Sequence, residues 1–436
     1  MSRVQLIRPS LDDWYTTKQL TELFSVSVGL CSLATVLRNS GIKVRVDDGM
    51  FTPLEETLNK ISGDFVGVTD LYSTHHNSLA ILAEAKRKGA TTIIGGPNVN
   101  YLAERILANH SFVDYAVVGD GEEALRALVQ GKPLTEIPNL VYRKQIKRNS
   151  RQDLRPETIF DLEALVDFDT FDPKNVMPIA AIKGCIKAQL DDRCSFCSID
   201  HTLKVMDPTL VWKQVNLLNK YGATRFWETG DSFIVGNYPQ KLLQARPKHL
   251  SHVTWRVYTS PDQINEEVVD TLVALNCHEI FVGVESVNDE VLARAGKSYR
   301  RKDIERAIDL ISGRGLKLHI PFLYGLPGET EEIMQENYKF AEKSAARTEQ
   351  MKAVVSLALP LPGTQLFENL RGNENVRREY QGDLDKDDFF DYRELVRLQC
   401  KYFTSITLDQ AESYIQKTLD LFPWEGEKTS FGINNE

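Results

Sequence analysis

A chain of 436 residues has room for two or three domains, and its 42% hydrophobic and 26% charged content is that of a globular protein folding in water. A net charge of −9 excludes a general attraction to nucleic acid or anionic lipid; no apolar run reaches the length of a membrane span, and the opening residues lack a signal-peptide core, so the chain is expected in the cytoplasm. Six cysteines are too few for a secreted disulfide framework: Cys31, Cys277 and Cys400 sit in apolar segments and read as small buried hydrophobes, and the other three lie together.

The first third alternates short apolar strands with helical patterns. Strands are expected at Val4 to Ile7, Val44 to Val46, Phe65 to Val68, Thr92 to Ile94 and Tyr115 to Val118. Helices are expected at Val28 to Leu37, from about Pro53, at Ser78 to Lys88 and at Glu122 to Val129. This alternation predicts a doubly wound parallel sheet, with ligands beyond the carboxyl ends of its strands. Those ends carry Asp47-Asp48-Gly49, Thr69-Asp70, Gly95-Gly96-Pro97-Asn98 and Gly119-Asp120-Gly121-Glu122-Glu123. Gly and Asp also make ordinary strand-to-helix turns, but four such loops on one rim favour a ligand.

The ordered set Val-Arg-Val-Asp-Asp, Val-Gly-Val, Ile-Ile-Gly-Gly-Pro-Asn and Val-Val-Gly-Asp-Gly-Glu-Glu resembles the cobalamin-binding domain of cobalamin-dependent radical S-adenosylmethionine (SAM) enzymes, over residues 1–140. The resemblance implies a Rossmann-like domain in which Asp48, Thr69, Gly95, Gly96, Gly119, Gly121 and Glu122 border the corrinoid. The Asp-x-His-x-x-Gly motif that supplies a cobalt-ligating histidine in methionine synthase-type carriers is missing from the sequence. His75 and His76 follow the third strand and have two readings, loop histidines or a cobalt ligand.

Residues 141–177 read as a linker. Arg143, Lys144, Lys147, Arg148 and Arg151 give it a basic stretch, either a patch for an anionic partner or a solvated hairpin; the acidic net charge favours the hairpin.

From Pro178 the alternation resumes in longer units, with strands expected at Pro178 to Ile182, Thr224 to Thr229, Val253 to Thr259, Glu279 to Val284, Lys317 to Tyr324 and Ala353 to Leu359. Six strand–helix units predict a parallel barrel, complete or partial, with its active site at the carboxyl ends of the strands. The sequence Gly184-Cys185-Ile-Lys-Ala-Gln-Leu-Asp-Asp-Arg193-Cys194-Ser-Phe196-Cys197 follows the first strand. Thiolates are soft ligands for iron and zinc. Structural zinc wants four ligands, usually two close pairs; here there is one close pair, one outlier and His201 nearby, which favours an iron–sulfur cluster with an open position.

This stretch and the later strand ends resemble the radical SAM core, over residues 178–372. In that superfamily three cysteines hold a 4Fe–4S cluster whose fourth iron is chelated by SAM, and one electron cleaves the sulfonium to a 5′-deoxyadenosyl radical. The resemblance makes Cys185, Cys194 and Cys197 the ligands and puts Phe196 near the adenine. Trp227-Glu228-Thr229-Gly230-Asp231 stands where the family contacts the SAM amino group, and Arg256 is a partner for its carboxylate. Glu285 and Ser286 match polar residues facing SAM, and Gly325 and Pro327 border the adenine. The spacing departs from the family's usual form: eight residues separate Cys185 from Cys194, where three are usual, while two separate Cys194 from Cys197. Residues 373–436 read as a helical segment over the core, with a disordered tail from Thr429.

The overall expectation is an α/β protein: a doubly wound N-terminal sheet, a partial (β/α)6 barrel and a helical C-terminal segment. Its implied cofactors are a 4Fe–4S cluster, SAM and cobalamin. Its implied activity is methylation of a carbon centre in a small molecule, with electrons from a donor such as flavodoxin or ferredoxin. The alternatives are a non-methylating rearrangement, cyclisation or oxidation, and a non-catalytic protein stabilised by zinc.

Overall fold

The computed structural model describes residues 3–12, 15–16, 26–143, 146–150, 171–199, 203–346, 350–422 and 432–433. Expectations for Lys144, residues 151–170 and His201, and most of the tail from Thr429, fall outside the described residues. The chain divides into two compact units. The first comprises residues 1–15, 21–175 and 383–390; the second comprises 16–20, 176–382 and 391–436.

The first unit contains β1 (Arg3–Arg8), α1 (Val28–Asn39), β2 (Lys43–Asp48), α2 (Leu54–Asn59), β3 (Phe65–Thr69), α3 (His75–Arg87), β4 (Thr91–Gly95), α4 (Val99–Asn109), β5 (Tyr115–Val117), α5 (Glu122–Val129), β6 (Leu140–Tyr142) and β7 (Lys147–Arg148). The sheet order is β2-β1-β3-β4-β5-β6-β7. The first five strands pair in parallel, and β6 and β7 add antiparallel. The order reverses at β1, so right-handed crossovers place helices on both faces. Helix α1 shows why these segments fold as they do: Ser27 caps its first turn, and Leu30, Cys31, Ala34 and Leu37 recur on one buried face.

Two features of this unit were not read from the sequence. Helix α4 was passed over because Glu104 and Arg105 interrupt its apolar run, although Val99, Leu102, Ala103, Ile106 and Leu107 are all buried. The second is Asp383–Phe390, which comes from far along the chain yet belongs here. Arg105 Nη1 donates to the carbonyls of Leu384 and Asp387, each at 3.0 Å. Asn109 Nδ2 donates to Asp388 at 2.8 Å, and His76 stacks on Phe389 with ring centres 3.8 Å apart. The basic stretch after Tyr142 is a hairpin, and its Arg148 pairs with Glu104 at 2.6 Å.

The second unit is built on six parallel strands: β8 (Met177–Ile179), β11 (Arg225–Glu228), β12 (Thr254–Thr259), β13 (Cys277–Val282), β14 (Lys317–Tyr324) and β15 (Met351–Leu357). Two short strands, β9 (Ile182–Lys183) and β10 (Lys204–Val205), pair antiparallel beside them. The six run in sequence order across the sheet. With crossovers of one hand, that order puts every helix on one face. These helices are α7 (Pro208–Asn219), α8 (Tyr238–Gln244), α9 (Glu266–Ala274), α10 (Asp289–Arg294), α11 (Arg301–Ser312) and α12 (Glu331–Ala345), after a short α6 (Ile186–Gln189). Burial follows the pleat: Trp255, Val257, Ile280, Val282, Ile320 and Phe322 are at most 1% exposed, while their neighbours Tyr258, Phe281, Pro321 and Leu323 on the other face are half-buried. Edge strands β8 and β15 do not pair with each other, so the barrel is partial. Helices α13 (Gln365–Gly372), α14 (Glu374–Glu379), α15 (Tyr392–Phe403) and α16 (Leu408–Asp420) complete the unit.

Candidate active site

The cysteine loop is fixed mainly through backbone. Cys197 N–H donates to the carbonyl of Cys194 at 3.0 Å, closing a turn around Ser195 and Phe196. Ser195 N–H donates to the Ala295 carbonyl at the end of α10, and Leu366 N–H in α13 donates to the Ser195 carbonyl, both at 3.0 Å. Gly296 follows at φ +76°, and a Cβ there would lie 3.3 Å from the Cys194 Cα, so the close approach requires glycine. Cys185 precedes α6, which with the turn after it occupies the eight-residue interval.

All three thiols are half-buried, and Cys197 feels the charge of both of its neighbours in the loop. Burial pushes the Cys194 thiol up and Cys197 to about 11, so a cationic metal centre, or a base, is needed to hold them as thiolates. Ile199 N–H points at Cys197 Sγ, 3.5 Å away. Among the described residues no three ligating side chains are arranged around a single ion. A four-iron cluster takes each cysteine on a separate iron and does not require that convergence, so the donor set fits a cluster.

Glu228 and Asp231 support this loop from β11. Glu228 is fully buried, and its Oε1 accepts from the N–H groups of Ala181, Ile182 and Gly230 at 3.0–3.1 Å. Its Oε2 has no partner, and burial raises its pKa to about 8. Gly230 leaves no room for a side chain, since a Cβ would sit 2.3 Å from the Ile182 carbonyl oxygen. Asp231 accepts from Gly184 N–H, next to Cys185, at 2.9 Å, and Thr229 N–H donates to the Ile179 carbonyl at 2.8 Å. In the protein alone these residues shape the backbone around Cys185.

Beyond β13, Glu285 has φ +62°, an uncommon conformation for a residue with a Cβ. It is pinned by Glu285 N–H to the Pro321 carbonyl (2.8 Å) and Leu323 N–H to the Glu285 carbonyl (3.0 Å). Its side chain pairs with Lys297 at 3.0 Å, and the Lys297 ammonium also lies 5.0 Å from the centre of the Phe196 ring. Burial opposes the charge on Lys297, but the adjacent Glu285 carboxylate outweighs it and raises the lysine's pKa. Lys297 was missed in the sequence, where nothing marks the Gly296-Lys297 pair; the fold sets Gly296 against the cysteine loop and the lysine beside Phe196.

Ser286 is buried and donates to Asn337 Oδ1 at 3.2 Å. Gly325, at φ +90°, donates to Glu329 at 2.5 Å and accepts from Gln399 Nε2 at 2.7 Å; Pro327 is half-buried beside it. Phe196 packs against Val291, Ala295, Leu326, Ala358 and Leu366. Arg256 lies deeper along its strand, paired with Glu279.

In the first unit the expected residues also meet at one rim. Asp48 pairs with Arg8 at 3.2 Å. Gly96, at φ +113°, packs against Asp70 and Thr69, where a Cβ would come within 2.6–3.0 Å, and Asp70 N–H donates to the Gly95 carbonyl at 2.7 Å. Gly119 N–H donates to Asn100 at 2.8 Å; Glu122, after Gly121, accepts from Ser32 at 2.6 Å. His75 is not a loop histidine: it opens α3, buried, with Nδ1 2.9 Å from Asp70 and Nε2 3.3 Å from Asp388. Both ring nitrogens are engaged, which leaves none for cobalt. Asp70 Oδ1 is buried without a partner and faces the same loop cluster.

The profile of the Radical SAM superfamily matches residues 189–341, and that of the B12 binding domain matches residues 22–129. The chain therefore carries both a radical SAM domain and a B12-binding domain. The radical SAM match begins after Cys185 and includes Cys194 and Cys197. An uncharacterized methyltransferase of Pyrococcus horikoshii is 25% identical over 78% of this chain and 77% of its own length. The solved structure of the radical SAM methyltransferase TsrM from Kitasatospora setae, with cobalamin and a [4Fe–4S] cluster bound, aligns at TM-score 0.70 and 18% identity over 97% of this chain and 89% of that one. The cobalamin-dependent radical SAM enzyme OxsB aligns at TM-score 0.66 and 15% identity over 95% of this chain and 66% of that one. These two likenesses establish the fold of this radical SAM protein. No helix among the described residues is long and apolar enough to cross a membrane.

Proposed function

We propose that this chain is a cobalamin-dependent radical SAM methyltransferase that methylates a carbon centre of a small molecule in the cytoplasm. The observation that carries the reading is the Cys194–Cys197 turn, held by backbone bonds to Ala295 and Leu366, with the buried Lys297–Glu285 pair beside it. Cys185, Cys194 and Cys197 would hold the cluster. Lys297 and Glu285 offer a cation and an anion for the carboxylate and amino groups of SAM, beside the open position. Glu228 and Asp231 keep the backbone around Cys185 in place, and the β3–β5 rim of the first unit would take the corrinoid. When bound, these groups supply one-electron cleavage of a sulfonium and a transferable methyl group. The electrons would come from a small donor such as flavodoxin or ferredoxin.

Anaerobic reconstitution with iron, sulfide and hydroxocobalamin, followed by cofactor counting and reduction in the presence of SAM, tests the reading. A methyltransferase releases S-adenosylhomocysteine as well as 5′-deoxyadenosine. Release of 5′-deoxyadenosine and methionine alone would instead indicate the non-methylating reaction. Zinc in place of iron, with no SAM cleavage, would end the radical reading.

A further inference from the structure

The six strands of the second unit leave one sheet face without helices of their own, and the side chains on it are unusual for a barrel interior. Aromatic rings meet here in tilted and stacked pairs. Tyr258 and Phe281 have ring centres 4.7 Å apart at 42°, and Phe281 stacks on His319 at 4.2 Å and 23°. Trp227 lies 5.7 Å from Tyr258 and 6.4 Å from Phe281, its plane nearly parallel to the latter's. Behind them Glu279 is held on one oxygen by Arg256 and on the other by His319. Burial would push Glu279 up, but these two partners draw it well below the usual carboxylate range. The Arg256 guanidinium is itself 5.4 Å from the Trp227 ring and 5.7 Å from the Phe281 ring.

Charge on this face is therefore internally matched, and Glu279 has both oxygens occupied. Recognition falls to the rings and to neutral hydrogen bonds. Tyr258 and Phe281 remain half-buried, in contrast to the fully buried side chains on the helix-covered face. Trp227 is 8% exposed, and its indole N–H is buried without an acceptor. A buried donor left unpaired is costly, and a ligand acceptor would relieve it.

We infer that this face is the substrate chamber and that it selects a planar aromatic ring bearing a hydrogen-bond acceptor, the ring packing on Tyr258 and Phe281 and the acceptor taking the Trp227 N–H. The inference rests on the radical SAM reading for why a substrate should come here; the residues carry the choice of ring.

The test uses three uncharged probes of one shape class on the reconstituted full chain with SAM. They are 1-tetralone (ring and acceptor), 1-decalone (acceptor, no aromatic ring) and tetralin (ring, no acceptor), titrated by saturation-transfer NMR. We expect 1-tetralone to bind roughly three- to tenfold more tightly than either control. Phe281→Leu should erase the preference over 1-decalone, and Trp227→Phe, which keeps the ring and removes the N–H, should erase the preference over tetralin. Iron–sulfur absorbance, read on each sample, reports whether the fold is intact. Equal binding of all three probes, no saturable binding, or preferences untouched by both substitutions would overturn the assignment. A chain that takes up no cluster would overturn the cofactor reading instead, and the uncharged probes would still report the ring preference.

Discussion

Lys297 and Glu285 form a largely buried ion pair 3.0 Å long, reached from two different loops, and the lysine end of it rests against the ring of Phe196 inside the Cys194–Cys197 turn. The pair thus connects the end of β13 to the cysteine loop. Removing one partner of such a pair leaves the other charge buried, at a cost of about 3–5 kcal/mol. Lys297→Met should therefore lower the melting temperature and weaken SAM binding in calorimetric titration. The double variant Lys297→Met/Glu285→Gln should recover most of the melting temperature and none of the SAM affinity. Recovery of both would show that the pair is purely structural.

The cysteines separate by their supports. Cys194 and Cys197 share one backbone-bonded turn, whereas Cys185 sits across an eight-residue interval containing α6. Cys194→Ala and Cys197→Ala should each bring iron per chain close to zero after anaerobic reconstitution, and Cys185→Ala should do the same. A Cys185→Ala protein with the full iron content of the parent would remove Cys185 from the ligand set.

His75 gives the first unit a pH dependence. Burial acts to lower its pKa, but Asp70 and Asp388 together raise it from 6.5 to about 10, while the hydrogen bonds of His110 and His75 overcome burial to draw Asp388 well below its ordinary value. A raised histidine contributes stability that is complete below about 6.5 and is lost as pH rises toward 10; a depressed aspartate contributes stability that is lost as pH falls below about 4. Thermal unfolding should therefore show this unit at its most stable between those limits. Asp388→Asn should flatten the alkaline limb and lower stability by about 1–3 kcal/mol. An unchanged profile would rule out the cluster as its source.

Glu228 is shifted in the direction opposite to Asp388 and, like His75, loses its contribution as pH rises. Its pKa is raised from 4.5 to about 8 by burial, against three N–H groups that favour the anion. An acid raised in the folded state contributes most below its unfolded value, and that contribution declines as pH rises from 4.5 to 8, by about 1.4 kcal/mol per unit. Glu228→Gln keeps an acceptor for the same N–H groups and cannot ionise. It should keep the cluster and make stability nearly independent of pH over that range. Gly230→Ala, whose Cβ has no room against Ile182, should lower cluster retention at any pH.

The two halves of the fold were legible for different reasons. Strands such as Val66 to Val68 and Ile93 to Ile94 are continuous apolar runs because helices cover both of their faces, and their pattern survives in a single sequence. Helix α4 was passed over although its apolar residues keep helical spacing; what no local window contains is the partnership of its Arg105 with Leu384 and Asp387, more than 270 positions away. The cysteines were singled out by type and spacing, and the resemblance made them the expected ligands. The groups around them were harder to read: Glu228 and Asp231 were expected to face SAM, but in the protein alone they accept from backbone N–H groups of residues 181, 182, 184 and 230. Lys297 escaped notice because an isolated lysine has no pattern, and only the fold brings it onto Phe196. Arg256 was expected at a ligand carboxylate, and its pairing with Glu279 depends on strand register.

The return of Asp383–Phe390 to the first unit has a consequence for how the chain is made. Synthesis proceeds from the amino terminus, yet Arg105, Asn109, His75 and His110 each take a partner from that late segment. The 207 residues from Val176 to Gly382 must be translated first, which at ordinary rates takes roughly 10–40 s. Through that interval the first unit waits on the ribosome with one flank uncovered, and the histidine that Asp388 will meet has only its early partners, Asp70 and Asn98, beside it.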